Sequence, residues 1–177
     1  MKIMNKTLIY AVILFFTIIQ ISISQGKKID ITDNDYKFKL TLPDSWVKMK
    51  YEETKNHDGI SYVYNNKKDS TITCMIMSFK VPESKDINDF IYVLELDASL
   101  NIPQRNSDFT NFDFGSYDGK YAIYKDLQST ELIYYIRTKN DNSKSNFVYM
   151  LRFITTNYNK KVEQSFKDIA GTFQLID

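Results

Sequence analysis

Cysteine, histidine and tryptophan each occur once in this chain of 177 residues, as Cys74, His57 and Trp46, beside five glycines and three prolines. One cysteine excludes an intramolecular disulfide, so stability has to come from an apolar core. One histidine and one distant cysteine fall short of the three or four ligands that zinc takes. So few glycines give little material for a phosphate cradle, and neither a P-loop nor Gly-x-Gly-x-x-Gly is present. An excess of one charge is missing too, with 23 basic against 22 acidic residues. Nucleic-acid binding needs a basic stripe that displaces counterions, and here lysines pair only at Lys27-Lys28, Lys67-Lys68 and Lys160-Lys161. Beyond residue 24 no apolar run approaches the ~20 residues of a membrane span.

The one long apolar run stands at the start. Lys2 and Lys6 precede Leu8-Ile9-Tyr10-Ala11-Val12-Ile13-Leu14-Phe15-Phe16, and Ser22-Ile23-Ser24 supplies small residues at positions −3 and −1 of a cleavage site. That is the three-part layout of a secretory signal over residues 1–24, with a mature chain from Gln25. Removing 24 of 177 residues leaves 153, a common length for one domain, expected over 25–177. This remainder holds 21 basic and 22 acidic residues, a formal charge of −1. Gln25, not a cysteine, stands directly after the cleavage site, which argues against a lipid anchor. The only Asn-x-Ser/Thr is Asn5-Lys6-Thr7, inside the signal. The expected location is a bacterial periplasm or exterior, since animal secreted domains of this size more often carry disulfides.

Periodicity then sets the element order. Residues 27–35 read as a polar lead-in. Residues 36–42 alternate, with Phe38, Leu40 and Leu42 on one strand face, and Pro43-Asp44-Ser45 turns the chain. Residues 52–59 read as a loop, 60–64 as a strand, and 65–69 as a hairpin connection. Residues 71–81 are apolar on both faces, as in a central strand covered on each side, and Pro82 ends them. Ile87, Phe90, Ile91, Leu94 and Ala98 predict an amphipathic helix over 87–100, with Asp86 among its caps. A strand over 109–117 is expected to enter a type I′ turn at Asp118-Gly119. Strands follow over 120–126, 132–138 and 147–155, with a polar loop at 139–145. A second helix over 159–170 presents Val162, Phe166 and Ile169 and ends at Gly171. Strands interrupted by only two helices predict α+β with an antiparallel sheet. The expected core includes Trp46, Ile76, Phe79, Phe90, Leu94, Leu151, Phe153 and Phe166.

Phe38-x-Leu40-x-Leu42-Pro43-x-x-Trp46 resembles the opening of PsbP-type domains, whose first strand runs into a proline turn and a tryptophan. The helix after Pro82, the Asp118-Gly119 hairpin and the closing helix with Ser165-Phe166 fit the same order. The resemblance spans nearly all of 36–176 and includes Mog and DcrB-like proteins. It implies an antiparallel sheet flanked by helices, an α/β/α sandwich. It implies little function beyond binding or supporting other proteins, since fold does not fix activity.

The candidate chemistry is thin. His57 sits among Glu52, Glu53 and Asp58, but without the alternating acidic spacing of a calcium loop, and is expected as an exposed loop histidine. Gly115-Ser116-Tyr117-Asp118-Gly119 is not a nucleophile elbow. Cys74 lies in the most apolar strand, where a thiol is an inert packing group. Tyr62, Tyr64, Tyr121, Tyr124, Tyr134, Tyr135 and Tyr149 read as sheet and core residues, with Tyr134 and Tyr135 facing opposite ways. Met75 and Met77 read as core or cover. No catalytic residue, metal ligand or cofactor is assigned, and no binding residue is singled out. The expectation is an exported, non-catalytic accessory domain that engages another exported protein. The alternative is a binder of a small apolar or carbohydrate ligand in an aromatic-lined groove. A deep aromatic cavity would favour the alternative, and a flat exposed apolar patch the accessory domain. The loops at 52–59 and 139–145 are the first places expected to carry function.

Overall fold

The computed structural model describes residues 28–81, 86–113, 117–138 and 146–176. The signal at 1–24, Pro82 and the 139–145 loop lie outside the described residues. The structure is an antiparallel α+β sandwich. A small sheet has the order β1 (Lys28–Asp33), β2 (Phe38–Pro43), β11 (Gln174–Leu175). The large sheet runs β3 (Trp46–Glu53), β4 (Gly59–Asn66), β5 (Ile72–Val81), β10 (Asn146–Thr155), β9 (Thr130–Thr138), β8 (Tyr117–Lys125), β6 (Gln104–Arg105). β7 (Thr110–Asp113) pairs with the other end of β8. The helices are α1 (Ile87–Leu96) and α2 (Lys160–Ala170).

The large sheet is the middle layer. One face carries Cys74, Ile76, Leu151 and Phe153, all with no exposed surface, against Phe38, Leu40 and Leu42 of the small sheet. Phe166, Ile169 and Ala170 of α2 complete that core. The opposite face presents Ile133, Tyr135 and Met150 to Ile87, Ile91 and Leu94 of α1. β5 and β10 sit inside the sheet with a core on each face, which is why residues 71–81 read as apolar on both faces. Tyr134 and Tyr135 do face opposite ways, one into each core.

Several elements differ from their sequence reading, each for a physical reason. The polar lead-in contains β1, where Ile29 and Ile31 alternate with charges; only Ile31 is buried, so the signal is short. The segment after Trp46 is a full strand, β3. It forms a sheet edge, is exposed from Lys48 onward, and carries an extra residue at Met49 that breaks the register between Lys48 and Lys50. Edge strands with bulges and lysines lose the alternation on which strand reading depends. The first helix stops at Leu96 rather than reaching Leu100. The Asp97 carboxylate accepts the Ser99 N–H and caps a separate 3-10 turn at Ala98–Leu100. Phe79 and Phe90 are half-buried, packed edge to face on each other, while the other six expected core residues are buried.

Asp118-Gly119 is not a turn. Both residues lie inside β8, paired with Asp113 and Phe112 of β7, and Gly119 does not adopt the left-handed backbone. The glycine is there for close approach: a Cβ would come within 2.0 Å of the Phe112 ring. Gly119→Ala is therefore expected to destabilise by about 1–3 kcal/mol through overpacking. Phe112→Ala in the same chain should recover part of that loss. Urea midpoints at unchanged slope would measure both.

Candidate interaction surface

Seven of the ten residues of α1 are apolar: Ile87, Phe90, Ile91, Tyr92, Val93, Leu94 and Leu96. One helix face cannot bury that many. Asp86 fixes the start by accepting the Asn88 N–H at 2.9 Å. Ile87, Ile91 and Leu94 point into the core. Both flanks then lock the rotation. On the β5 side Phe90 meets Phe79 at 5.8 Å between ring centroids. On the β8 side Glu95 accepts hydrogen bonds from the Tyr124 hydroxyl at 2.7 Å and from Arg105 at 3.2 Å. Tyr135 donates to Tyr124 at 3.1 Å, and Lys120 donates to Asn88. Burial, followed by the neighbouring Tyr135, pushes the Tyr124 hydroxyl far above its usual titration range. What remains outward is Tyr92, Val93 and Leu96, which are 65, 56 and 65% exposed. With Asp89 they follow i, i+3, i+4, i+7 spacing, a single stripe along the outer side.

The C-terminal end of α1 is anchored from below. Arg152 of β10 forms a bidentate pair with Glu131 of β9, both contacts at 2.9 Å, with each side chain 5% exposed. Its remaining nitrogen donates to the Leu100 carbonyl at 2.7 Å. The 3-10 turn after α1 is thereby tied to the sheet.

A second exposed group lies at the β3 edge. Tyr51 and Tyr62 rings are 4.9 Å apart, with the Lys48 ammonium over both at 5.0 and 4.7 Å. Tyr62 donates to Asp33, and Tyr51 donates to Glu53. His57 is largely exposed, adopts a left-handed backbone (φ 55°), and its Nδ1 lies 2.8 Å from Glu53. That hydrogen bond holds the Glu53 carboxyl below its ordinary range. Thr54 accepts the Asp58 and Gly59 N–H groups, so the loop is braced locally, and its Glu53 is already engaged by His57 and Tyr51.

Cys74 has no exposed surface, and burial pushes its thiol far up. It sits five residues along β5 from Phe79, which pairs with Gly59 beside the His57 loop. At ~3.4 Å per residue that is about 17 Å, so the two do not form a dyad. Tyr64, Tyr124, Tyr134, Tyr135 and Tyr149 are buried. Two open hollows of about 380 and 410 Å³ lie along β8. One is walled by the polar β8–β9 turn, and the other by Ile87, Asn111, Phe112 and Lys120. Neither is an aromatic-lined cleft. The outer stripe of α1 was legible as a surplus: Tyr92, Val93 and Leu96 lie off the predicted inward face, and seven apolar residues in ten exceed what that face holds.

These features define an antiparallel sheet sandwich whose first helix leaves an apolar stripe open. No protein-family profile matches the chain, and no curated protein matches it by sequence. Solved structures do share the fold. The cyanobacterial PsbP protein (CyanoP) of Synechocystis is 14% identical, covering 86% of this chain and 95% of its own, with a TM-score of 0.61. The Ran-binding protein Mog1p of Saccharomyces cerevisiae is 10% identical, covering 86% and 97%, with a TM-score of 0.50. A Bacteroides thetaiotaomicron protein is 15% identical with a TM-score of 0.52; the match covers 86% of this chain and 49% of that one, so this chain spans about half its length. The chain has the PsbP/Mog-like fold.

Proposed function

We propose that this protein is an exported accessory domain that works by binding another protein through α1, without a catalytic centre of its own. The observation that carries the reading is the open stripe of Tyr92, Val93 and Leu96 on a helix whose flanks and inner face are already locked. A flat apolar patch on a rigid element suits protein docking, whereas small-ligand sites are concave. The tyrosines that would line a ligand groove are mostly consumed by the two cores. Mog1p, which shares the fold, is a Ran-binding protein, so the architecture supports partner binding elsewhere. Export rests on the basic and apolar pattern of residues 1–24.

A photo-reactive phenylalanine analogue at Leu96, in the exported protein of living cells, should yield one discrete heavier adduct. The same group at exposed Lys161 on α2, across the sheet, should not. Absence of an adduct at Leu96, or equal adducts at both positions, would overturn the proposal.

A further inference from the structure

We propose that the outer stripe of α1 receives a basic amphipathic helix of the partner, an inference that rests on the protein-binding reading above and gives the partner its chemistry. Residues 86–101, which hold α1, its cap and the following 3-10 turn, contain Asp86, Asp89, Glu95 and Asp97 and no lysine, arginine or histidine. That is a local charge of −4 in a chain whose total is close to zero. Asp89 lies on the stripe itself, at its N-terminal end, and exposed Asp97 follows Leu96 at the other end. The three apolar side chains are therefore bracketed by carboxylates along the helix. Among the described residues, Arg105 and Lys120 stand on the β8 flank, where they engage Glu95 and Asn88 and lie over the Phe109 ring; Lys85, which precedes Asp86, lies outside the described residues.

This charge pattern selects among occupants. A second copy docked by two-fold symmetry would set the same carboxylates against each other across a small apolar contact. An anionic lipid surface repels the patch, since membrane-binding helices carry lysine and arginine around their apolar face. A helix with a leucine stripe and flanking lysines satisfies both features. Its apolar side chains cover Tyr92, Val93 and Leu96, and its ammoniums reach Asp89 and Asp97. The stripe from Asp89 to Leu96 is ~10 Å long at 1.5 Å per residue, two turns of helix against two turns. Three apolar side chains make a small patch, so the complex is weak and exchanges readily.

The test uses three synthetic peptides of about 15 residues, near the length at which an isolated helix becomes stable. One is an amphipathic Leu/Lys helix, one its Leu/Glu counterpart, and one a scrambled Leu/Lys sequence. Fluorescence anisotropy with residues 25–177 of the chain should show the Leu/Lys helix binding at least about tenfold more tightly than either control. Tyr92→Ala and Leu96→Ala should each weaken it by about five- to tenfold, whereas Tyr51→Ala at the β3 edge should leave it unchanged. Asp89→Lys should weaken the Leu/Lys helix and strengthen the Leu/Glu one. Melting curves of the variants control for folding.

Equal binding of the Leu/Lys and Leu/Glu helices would overturn the charge assignment. Binding that ignores Tyr92→Ala and Leu96→Ala would overturn the location. Self-association in sedimentation, or adsorption to anionic phosphatidylglycerol vesicles, that is lost in Leu96→Ala would give the stripe to a second copy or to lipid instead. A Leu96 adduct in cells whose captured segment carries no bases would overturn this proposal and leave the accessory reading standing. No adduct, with peptide binding intact, would overturn the accessory reading and the partner assignment that rests on it, leaving only the stripe's preference for a basic helix.

Discussion

Replacing Phe153 by alanine is expected to lower the unfolding free energy by about 3–5 kcal/mol. Phe153 sits on β10 inside the large sheet, with no exposed surface, and pairs with Cys74 on one side and Leu132 on the other. Its ring stacks on Phe166 of α2 at 5.1 Å and meets Tyr134 edge-on at 6.1 Å. Truncation removes the transfer energy of the ring and leaves a cavity that strands on both sides cannot close. It also takes away the platform on which α2 docks. Against a typical total of about 5–15 kcal/mol, that loss is a large share of the stability. Phe153→Leu, which keeps most of the volume, should cost under about 1.5 kcal/mol. Urea unfolding of both variants tests this, and a Phe153→Ala cost below about 1 kcal/mol would mean that the core between sheet and α2 is not closely packed.

The legible parts of the fold are those where burial imposes a period. β5 and β10 are apolar on both faces because cores press on both, and α2 shows one clean inward stripe because only one side is covered. Phe38, Leu40 and Leu42 alternate because the small sheet faces the core on one side only. The illegible parts are edges. β1, β3 and β6 have too few buried positions to print a pattern, and β3 adds a bulge. Asp118-Gly119 misled for a subtler reason. A glycine that permits a turn and a glycine that makes room for a ring look identical in sequence, and only the position of Phe112 separates them. α1 combined both difficulties. Its apolar residues fixed the helix, but their number exceeded what one covered face requires. The surplus that blurs the pattern is the same Tyr92, Val93 and Leu96 that form the outer stripe. The loop containing His57, conspicuous by composition, is occupied with its own hydrogen bonds. Neither Arg152 nor Glu131 announced a partner, because they lie 21 positions apart on neighbouring strands.

That pair should respond most sharply to losing one member. Arg152→Met leaves the Glu131 carboxylate buried without its cation, and Glu131→Leu leaves the guanidinium in the same position. Each is expected to cost about 3–5 kcal/mol, because an uncompensated charge keeps its full desolvation penalty. Arg152→Lys should also destabilise, since a single ammonium cannot reproduce two parallel hydrogen bonds to the carboxylate together with the one to Leu100. The double variant Arg152→Met with Glu131→Leu should recover most of the loss, because apolar residues fill the space under α1 without any buried charge. A double-mutant cycle in urea reads this as strong coupling between two strongly destabilising single changes. The recovery should be incomplete at one place. The Leu100 carbonyl loses its donor in every variant that lacks Arg152, so amide hydrogen exchange should speed up in the 3-10 turn at Ala98–Leu100 even where global stability returns. Single changes costing less than about 1 kcal/mol would mean that water reaches the pair and that the ion pair contributes little. Global recovery with unchanged exchange at 98–101 would mean that α1 holds its place by its apolar contacts alone, and that the tie from Arg152 to Leu100 is dispensable.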